Sequence, residues 1–208
     1  MKIKIWFSDF WKNFDNEDNW FFRYLSANFD VELNPNPDFL IYSDFGYEYL
    51  KYKCIRIFYT GENVRPNFWE ADYVIAFDHI ISNKYFRLPL YGIWDGLNPY
   101  DLVTPKKNLD LILAEKTGFC CMVVSNGKAK KRIQFFNKLS NYKTVDSGGR
   151  FMNNIGGPVE DKMDFIKKYK FVISFENSSY PGYVTEKIYQ PMFVNTIPIY
   201  WGSPTIKS

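Results

Sequence analysis

The sequence predicts an α/β protein whose sheets are mainly parallel. Short apolar runs of strand type alternate along the chain with segments in which apolar residues recur at helical spacing. This alternation favours an open sheet covered by helices. The composition is that of a globular protein, with 208 residues of which 46% are apolar and 24% charged, and a chain of this length is able to bury a sizeable core.

The first half of the chain is expected to form one α/β domain. A helix is predicted over 17–28, because apolar residues from Trp20 to Leu25 recur at helical spacing. The predicted strands are apolar runs bounded by polar or turn residues, at 2–7, 39–43, 55–60 and 73–77.

The second half repeats the strand–helix order that is typical of a Rossmann-like sheet. Before it, the segment 91–108 contains glycines and prolines and no clean period, which predicts a linker. We therefore expect two domains, 1–105 and 106–208. The second ends just after a strand, so it is expected to be incomplete. Its predicted strands are 119–125, 143–146, 170–175 and 196–200, and its predicted helices are 130–139, 161–169 and 184–194.

Charge, cysteine content and hydropathy narrow the class of protein. A net charge of +3 is too small to argue for a nucleic-acid partner. Three cysteines, two of them adjacent, form no readable disulfide framework, which suits a reducing compartment. The apolar start is too short for a signal peptide, and no apolar run is long enough to cross a membrane. These features predict a cytoplasmic protein.

The residue types also argue against an essential metal ion. The sequence has one histidine, His79, and no Asp-x-Asp pair, whereas hard divalent cations prefer clustered carboxylates. We expect no required metal or other cofactor, and at most a stimulation of activity by a divalent metal.

The first candidate for chemistry is Glu62, which follows the strand 55–60 in a glycine turn. Functional groups in open α/β sheets lie beyond the carboxyl ends of strands, and a carboxylate placed there is able to take a proton from a hydroxyl. The simpler alternative is that Glu62 caps the turn or pairs with Arg65. The pattern of residues alone favours that alternative.

The second candidate is the segment 175–187, where a strand leads through a polar loop into a helix. Backbone N–H groups at such a helix start favour an anion. Lys187 lies in the first turn, where its charge opposes the helix dipole, and a bound diphosphate would remove that conflict. Glu186 is able to accept hydrogen bonds from sugar or ribose hydroxyls. An ordinary helix capped near Thr185 is about equally well supported.

The third candidate is Arg132, which follows the strand 119–125 in the first turns of a helix. A guanidinium binds phosphate oxygens through two parallel N–H groups. Arg132 belongs to a short basic run with Lys128, Lys130 and Lys131, and for these lysines a solvated helix face is the preferred interpretation. One arginine in such a run is a weak signal for a phosphate site.

Several of these segments together resemble a known family. The resemblance rests on FYTGEN at 58–63 with PNF at 66–68, and on FEN at 175–177, GYVTEKI at 182–188 and TIPIYWGSP at 196–204. It extends from about residue 55 to the end of the chain. On these motifs the sequence resembles the α-1,3/4-fucosyltransferases of glycosyltransferase family 10, and their bacterial, Helicobacter-type branch most.

The resemblance implies a GT-B fold, in which two Rossmann-like domains face a cleft, and a reaction that inverts the anomeric centre. It implies that the first domain holds the acceptor and that Glu62 is the general base. The second domain would bind GDP-fucose. The family's donor contacts match five residues there, namely Arg132, Asn177, Tyr183 and Lys187 at the diphosphate and Glu186 at the donor sugar or ribose.

The resemblance further implies α-1,3-fucosyl transfer to an N-acetyllactosamine-type glycan acceptor of a surface polysaccharide or lipopolysaccharide. The C-terminal helices of the family, and the tail that bacterial members often carry, are missing from this sequence. Peripheral attachment to the inner membrane through such a tail therefore stays open.

Two alternatives stay open as well. One is a fragment that binds GDP or glycan without transfer, which the missing C-terminal part motivates. The other is a GT-B transferase that uses another sugar nucleotide, since nothing in the spacing of the residues selects guanine.

Overall fold

The computed structural model describes residues 2–93, 102 and 108–207. They divide between two compact units, one within Met1–Asp95 (unit 1) and one within Gly96–Ser208 (unit 2). Each unit combines helices with a parallel sheet, as the sequence predicts. The predicted domain boundary between residues 105 and 106, and most of the predicted linker 91–108, lie outside the described residues.

The strands described in unit 1 are all parallel: β1 (Ile3–Ser8), β2 (Val31–Leu33), β3 (Phe39–Tyr42), β4 (Ile55–Tyr59), β5 (Tyr73–Ala76) and β6 (Tyr85–Arg87). Their order in the sheet is β2-β1-β3-β4-β5-β6. The chain leaves β1 toward β2 on one side and returns to β3 on the other, which makes a topological switch point between β1 and β3. Ligands of open α/β sheets bind at such points, beyond the carboxyl ends of the strands.

Both faces of the unit 1 sheet are covered by apolar side chains. Leu40 and Tyr42 pack around Val74 on one face. Ile41, whose side chain points the opposite way along the same strand, packs on the other face with Phe21 of the helix α1 (Trp20–Asn28). The continuous apolar run of β3 is therefore typical of a parallel strand that is buried on both sides.

The helix α1 begins three residues later than the sequence predicts. The Asp15 carboxylate accepts hydrogen bonds from the backbone N–H groups of Glu17 (2.8 Å) and Asp18 (3.3 Å), which bends the chain before the helix. Asn19 is the N-cap, since its side-chain oxygen accepts from the backbone N–H of Phe22 (2.9 Å). Side chains compete for these backbone N–H groups, and that competition explains the late start.

Unit 2 contains a four-stranded parallel sheet and, among the described residues, four helices. The strands are β7 (Gly118–Met122), β8 (Val145–Ser147), β9 (Tyr169–Phe175) and β10 (Ile197–Trp201), and the helices are α2 (Leu109–Glu115), α3 (Lys130–Tyr142), α4 (Lys162–Ile166) and α5 (Glu186–Phe193). The sheet order β10-β9-β7-β8 puts the topological switch point of this unit between β7 and β9. In the described part of the chain, every helix is too short or too polar to span a bilayer.

The pattern of residues does not predict β2, β6 or α2. The strands β2 and β6 have three residues each, too few for a periodic signal. The helix α2 carries Leu109, Ile112 and Leu113 at helical spacing, but it is only seven residues long, shorter than the window of about 11–18 residues in which a helical period is recognised. The predicted helix 161–169 is also too long, because Tyr169 already pairs with Gly118 as the first residue of β9.

Candidate functional site

The candidate residues of unit 2 lie at its topological switch point. The helix α3, which carries Arg132, follows β7, and Asn177 follows β9 two residues after the strand ends. Because β7 and β9 are neighbours and parallel, their carboxyl ends lie at the same edge of the sheet. The Arg132 side chain donates from Nη2 to Oδ1 of Asn177 over 2.7 Å. The fold thus joins two residues that are 45 positions apart in the sequence.

Arg132 is a buried cation with unused hydrogen-bonding capacity. The residue is 2% exposed, and its Nε–H has no hydrogen-bond partner among the described residues. Burial lowers the pKa of the Arg132 guanidinium, while the nearby Glu176 carboxylate and Tyr183 hydroxyl favour its charged form. Buried donors are normally satisfied, so an orphaned guanidinium N–H beside an amide indicates a place for an acceptor from outside the chain.

The neighbouring lysines behave as the sequence predicts. Lys128, Lys130 and Lys131 are exposed, and Lys131 lies over the Trp201 ring with its Nζ 4.9 Å from the ring centroid. The predicted solvated helix face is confirmed for Lys130 and Lys131, whereas Lys128 lies in the turn before α3, and Arg132 alone of this basic run is buried.

The start of α5 is the second part of the site. Thr185 is the N-cap, and its side chain accepts from the backbone N–H of Lys187 (3.5 Å). Gly182 in the preceding loop has a φ of +81°, which favours glycine. Its N–H donates to Ser203 Oγ (2.9 Å) and Thr205 Oγ1 (3.0 Å), so the loop is tied to the segment after β10.

The Glu176 side chain holds the start of α5 in place through its contacts with the N-cap residue Thr185. Its side chain is fully buried, and its two carboxylate oxygens accept from the backbone N–H (2.8 Å) and the hydroxyl (2.7 Å) of Thr185. Burial raises the pKa of Glu176, although Lys187 and the two Thr185 donors oppose the shift. Glu176 directly precedes Asn177, so one turn of chain after β9 supports both the helix cap and the partner of Arg132.

Lys187 lies among carboxylates. Its Nζ is 3.3 Å from Glu176 Oε2 and 3.2 Å from Glu186 Oε1, and it donates to Thr185 Oγ1 over 2.9 Å. The sequence predicts a conflict between the Lys187 charge and the helix dipole. In the folded chain the carboxylates of Glu176 and Glu186 offset the lysine charge, so the unfavourable interaction with the helix dipole is reduced without a ligand.

Tyr183 and Glu186 complete the group of predicted donor contacts. Tyr183 is 2% exposed, and its backbone N–H donates to the carbonyl of Tyr180 (3.1 Å). Its hydroxyl is close enough to affect the pKa of Arg132. Five predicted residues are thus brought together around the carboxyl end of β9 and the start of α5: Arg132, Asn177, Tyr183, Glu186 and Lys187.

Glu62 belongs to unit 1 and follows β4. The carboxylate is on an exposed residue, and the turn is held by Thr60, whose Oγ1 accepts from the Glu62 N–H (3.0 Å) and donates to Asp44 Oδ1 (2.9 Å). Arg65 forms an ion pair with Asp78 and lies over the Phe77 ring, with its guanidinium carbon 4.4 Å from the ring centroid.

Two charged residues near the unit 2 site have no role in the sequence interpretation. Glu176 is one. Lys162, at the start of α4, is the other: its Nζ donates to Gln190 Oε1 of α5 (2.5 Å), and burial lowers its pKa while Glu186 raises it. The position of Glu176 directly after an apolar strand is a signal that the sequence contains. No sequence signal identifies Lys162, because its hydrogen-bond partner Gln190 is on α5, 28 positions further along the chain.

Comparison with known proteins places the chain in a family. Residues 5–94 match the alpha-(1,3)-fucosyltransferase FucT N-terminal domain, and residues 113–207 match the C-terminal part of glycosyltransferase family 10 (fucosyltransferase). An alpha-(1,3)-fucosyltransferase FucT of Helicobacter pylori is 35% identical to this chain over an alignment of 246 residues. The alignment covers 98% of this chain and 51% of that protein. The chain thus spans about half the length of this relative.

Solved structures agree with the sequence matches. The crystal structure of an alpha1,3-fucosyltransferase with GDP-fucose has a TM-score of 0.79 and 32% identity, covering 98% of this chain and 69% of that one. A crystal structure with GDP has a TM-score of 0.78 and 32% identity, covering 99% and 69%. The chain belongs to glycosyltransferase family 10, the fucosyltransferases. The predicted family and the predicted α/β, GT-B fold class are confirmed.

The buried carboxylate of Glu176 generates a stability prediction. Glu176→Ala leaves the N–H and hydroxyl of Thr185 without their acceptor and removes one of the two carboxylates beside Lys187, and breaking a buried pair typically costs about 3–5 kcal/mol. We expect the free energy of unfolding, measured by urea denaturation, to fall by about that amount. The matched control Glu160→Ala removes an exposed carboxylate and should change it by less than about 0.5 kcal/mol. Equal losses in the two variants would contradict the role given to Glu176.

Proposed function

We propose that this chain carries out inverting α-1,3-fucosyl transfer from GDP-fucose to a hydroxyl of an N-acetyllactosamine-type glycan. The observation that carries the proposal is the buried Arg132 guanidinium, which holds Asn177 and keeps its Nε–H unpartnered within the described residues. Arg132 lies in the part of the chain that matches the C-terminal model of the fucosyltransferase family. Relatives described as alpha-(1,3)-fucosyltransferases, one of them solved with GDP-fucose, support the donor and the linkage.

Arg132 and the start of α5 would stabilise the leaving group. The diphosphate of GDP gains charge as the bond from its oxygen to the fucose C1 breaks, and fixed donors in a dry site stabilise such charge strongly. Arg132 supplies a guanidinium, Lys187 an ammonium, and α5 the partial positive charge of its first turn. In this proposal Asn177 and Tyr183 contact the diphosphate, and Glu186 contacts the donor sugar or ribose.

Glu62 would act as the general base. Its carboxylate takes the proton of the acceptor hydroxyl as that oxygen forms a bond to the fucose C1, and the C1–phosphate oxygen bond breaks on the opposite face. One bond forms and one breaks, the configuration at C1 inverts, and GDP leaves with the bonding electrons. The exposure of Glu62 and the anchoring of its turn by Thr60 support this role.

The wider setting belongs to the same proposal. The acceptor is a glycan of a surface polysaccharide or lipopolysaccharide, and transfer takes place in the cytoplasm, at the inner membrane where a C-terminal tail attaches the protein. No metal is required, because Arg132 and the start of α5 supply the positive charge, and a divalent metal at most stimulates the reaction.

The first test is GDP release from GDP-fucose by the 208-residue chain, with and without N-acetyllactosamine. We expect release that depends on the acceptor and persists in excess EDTA. GDP binding without acceptor-dependent release would instead support a binding fragment, and release from UDP- or ADP-sugars at equal rates would support another donor. Loss of activity in EDTA would contradict the metal-free mechanism.

Arg132 should govern donor affinity. Arg132→Ala removes charge-assisted hydrogen bonds to phosphate, and we expect GDP to bind about 10- to 100-fold more weakly by isothermal titration calorimetry. Lys130→Ala is the matched control, since Lys130 is exposed in the same basic run, and it should change the affinity less than about two-fold. If both variants bound GDP like the parent chain, the diphosphate site would lie elsewhere.

Glu62 should govern turnover and leave donor affinity intact. Glu62→Gln keeps the shape of the side chain but removes the base, so kcat should fall by about 10²–10⁴-fold while the Kd of GDP stays unchanged. The control Glu115→Gln alters an exposed carboxylate of α2 and should leave kcat unchanged. Normal turnover by Glu62→Gln would remove Glu62 from the mechanism.

A further inference from the structure

Lys162, the first residue of α4, carries a poorly compensated positive charge beside the proposed donor site. The residue is half-buried, and its Nζ donates to Gln190 Oε1 of α5 over 2.5 Å. An ammonium has three N–H donors, and among the described residues Lys162 makes only this one hydrogen bond and no direct ion pair. A desolvated charge with so few partners is unfavourable unless opposite charge lies near it.

The opposite charge comes from the start of α5 and the end of β9. Glu186 precedes Gln190 by four positions in α5, so the two side chains are neighbours on the helix surface. Desolvation lowers the pKa of Lys162, and the charge that raises it most is the Glu186 carboxylate, with a smaller contribution from Glu176. The positive charge of Lys187 lowers it further. Lys162 therefore belongs to the same group of charges as Glu176, Glu186 and Lys187.

This group contains two acidic and two basic side chains. Lys187 is already occupied by both carboxylates, with its Nζ 3.3 Å from Glu176 Oε2 and 3.2 Å from Glu186 Oε1. The thiol of Cys121, which is also near Lys162, stays neutral because burial raises its pKa. With Lys162 the group has no net charge. Without Lys162 the two carboxylates would outnumber Lys187, and the start of α5 would be negative.

We propose that Lys162 is a positioning residue of the donor site, which acts through Glu186 by balancing its charge, so that the start of α5 accepts a nucleoside diphosphate. The proposal rests on the proposed function, in which the diphosphate lies between Arg132 and α5. A diphosphate is strongly negative, and a net negative charge next to its site would repel it over several ångströms. Lys162 needs no contact with the ligand for this effect.

The test compares GDP with guanosine, which has the same base and ribose but no phosphate. Binding of each to the 208-residue chain is measured by ligand-observed NMR titration. Lys162→Met removes the charge, and Lys162→Gln removes it but keeps an N–H donor for Gln190. Both variants should bind GDP about 3- to 10-fold more weakly and guanosine as the parent chain does, since the lost term is electrostatic.

Lys116→Met is the matched control, because Lys116 is also a buried lysine of unit 2. It is 5% exposed, and its Nζ donates to the carbonyls of Lys167 (2.6 Å) and Val194 (2.7 Å) and to Thr196 Oγ1 (2.8 Å). Lys116, Lys167 and Thr196 come just before β7, β9 and β10, so they lie at the opposite edge of the sheet from the donor site. Lys116→Met should lower the melting temperature and, measured below it, keep the preference for GDP over guanosine.

A second variant distinguishes charge balance from distortion of the site. Lys162→Met combined with Glu186→Gln again has equal numbers of positive and negative side chains in the group. Any contact of Glu186 with the ribose is common to GDP and guanosine, so the preference for GDP over guanosine reports on the phosphates alone. The double variant should recover most of the preference that Lys162→Met loses.

The outcomes separate this inference from the proposed function. Unchanged GDP binding by Lys162→Met and Lys162→Gln overturns the inference, even if the chain transfers fucose. Equal weakening of GDP and guanosine also overturns it, because that result indicates a distorted site, and so does a double variant that recovers nothing. A GDP preference that depends on Lys162 in a chain that never transfers fucose supports the inference and contradicts the proposed function. A parent chain without affinity for GDP contradicts both.

Discussion

The buried carboxylate of Glu176 is the interaction on which the unit 2 site depends. A carboxylate removed from water is tolerated only when charge and hydrogen bonds compensate it. Glu176 obtains both from Thr185 and Lys187, and these contacts attach the start of α5 to the end of β9. The next residue, Asn177, holds the Arg132 guanidinium. The geometry of the proposed diphosphate site therefore follows from how one buried negative charge is satisfied.

One of the buried polar atoms that have no partner among the described residues belongs to the proposed diphosphate site of unit 2. This atom is the Nε–H of Arg132, whose Nη2 donates to Asn177. A folded chain rarely leaves buried donors unpaired. The Arg132 guanidinium is a cation suited to phosphate oxygens, as the proposed sugar-nucleotide donor requires.

Much of the fold could be predicted from local patterns, and the failures have local causes. Apolar runs located β1, β3, β4 and β5 because such strands are buried on both faces. The late start of α1 depends on the Asp15 and Asn19 side chains, which compete with the helix for backbone N–H groups. The helix α2 has apolar residues at helical spacing, but seven residues are too few to establish a period. The sequence contains the site motifs, but the role of Glu176 depends on its contacts with Thr185 and Lys187, which only the folded chain brings together.

The sequence by itself determined the alternation of strands and helices, the positions of the polar motifs after strands, and the family, because each of these is a property of consecutive residues. Only the tertiary structure decided which motifs meet. Arg132 reaches Asn177 because β7 and β9 are adjacent in the sheet, and strand order is not written in any local pattern. It also decided that Arg132 is buried and Lys130 is not, since burial depends on what the rest of the chain packs against each side chain.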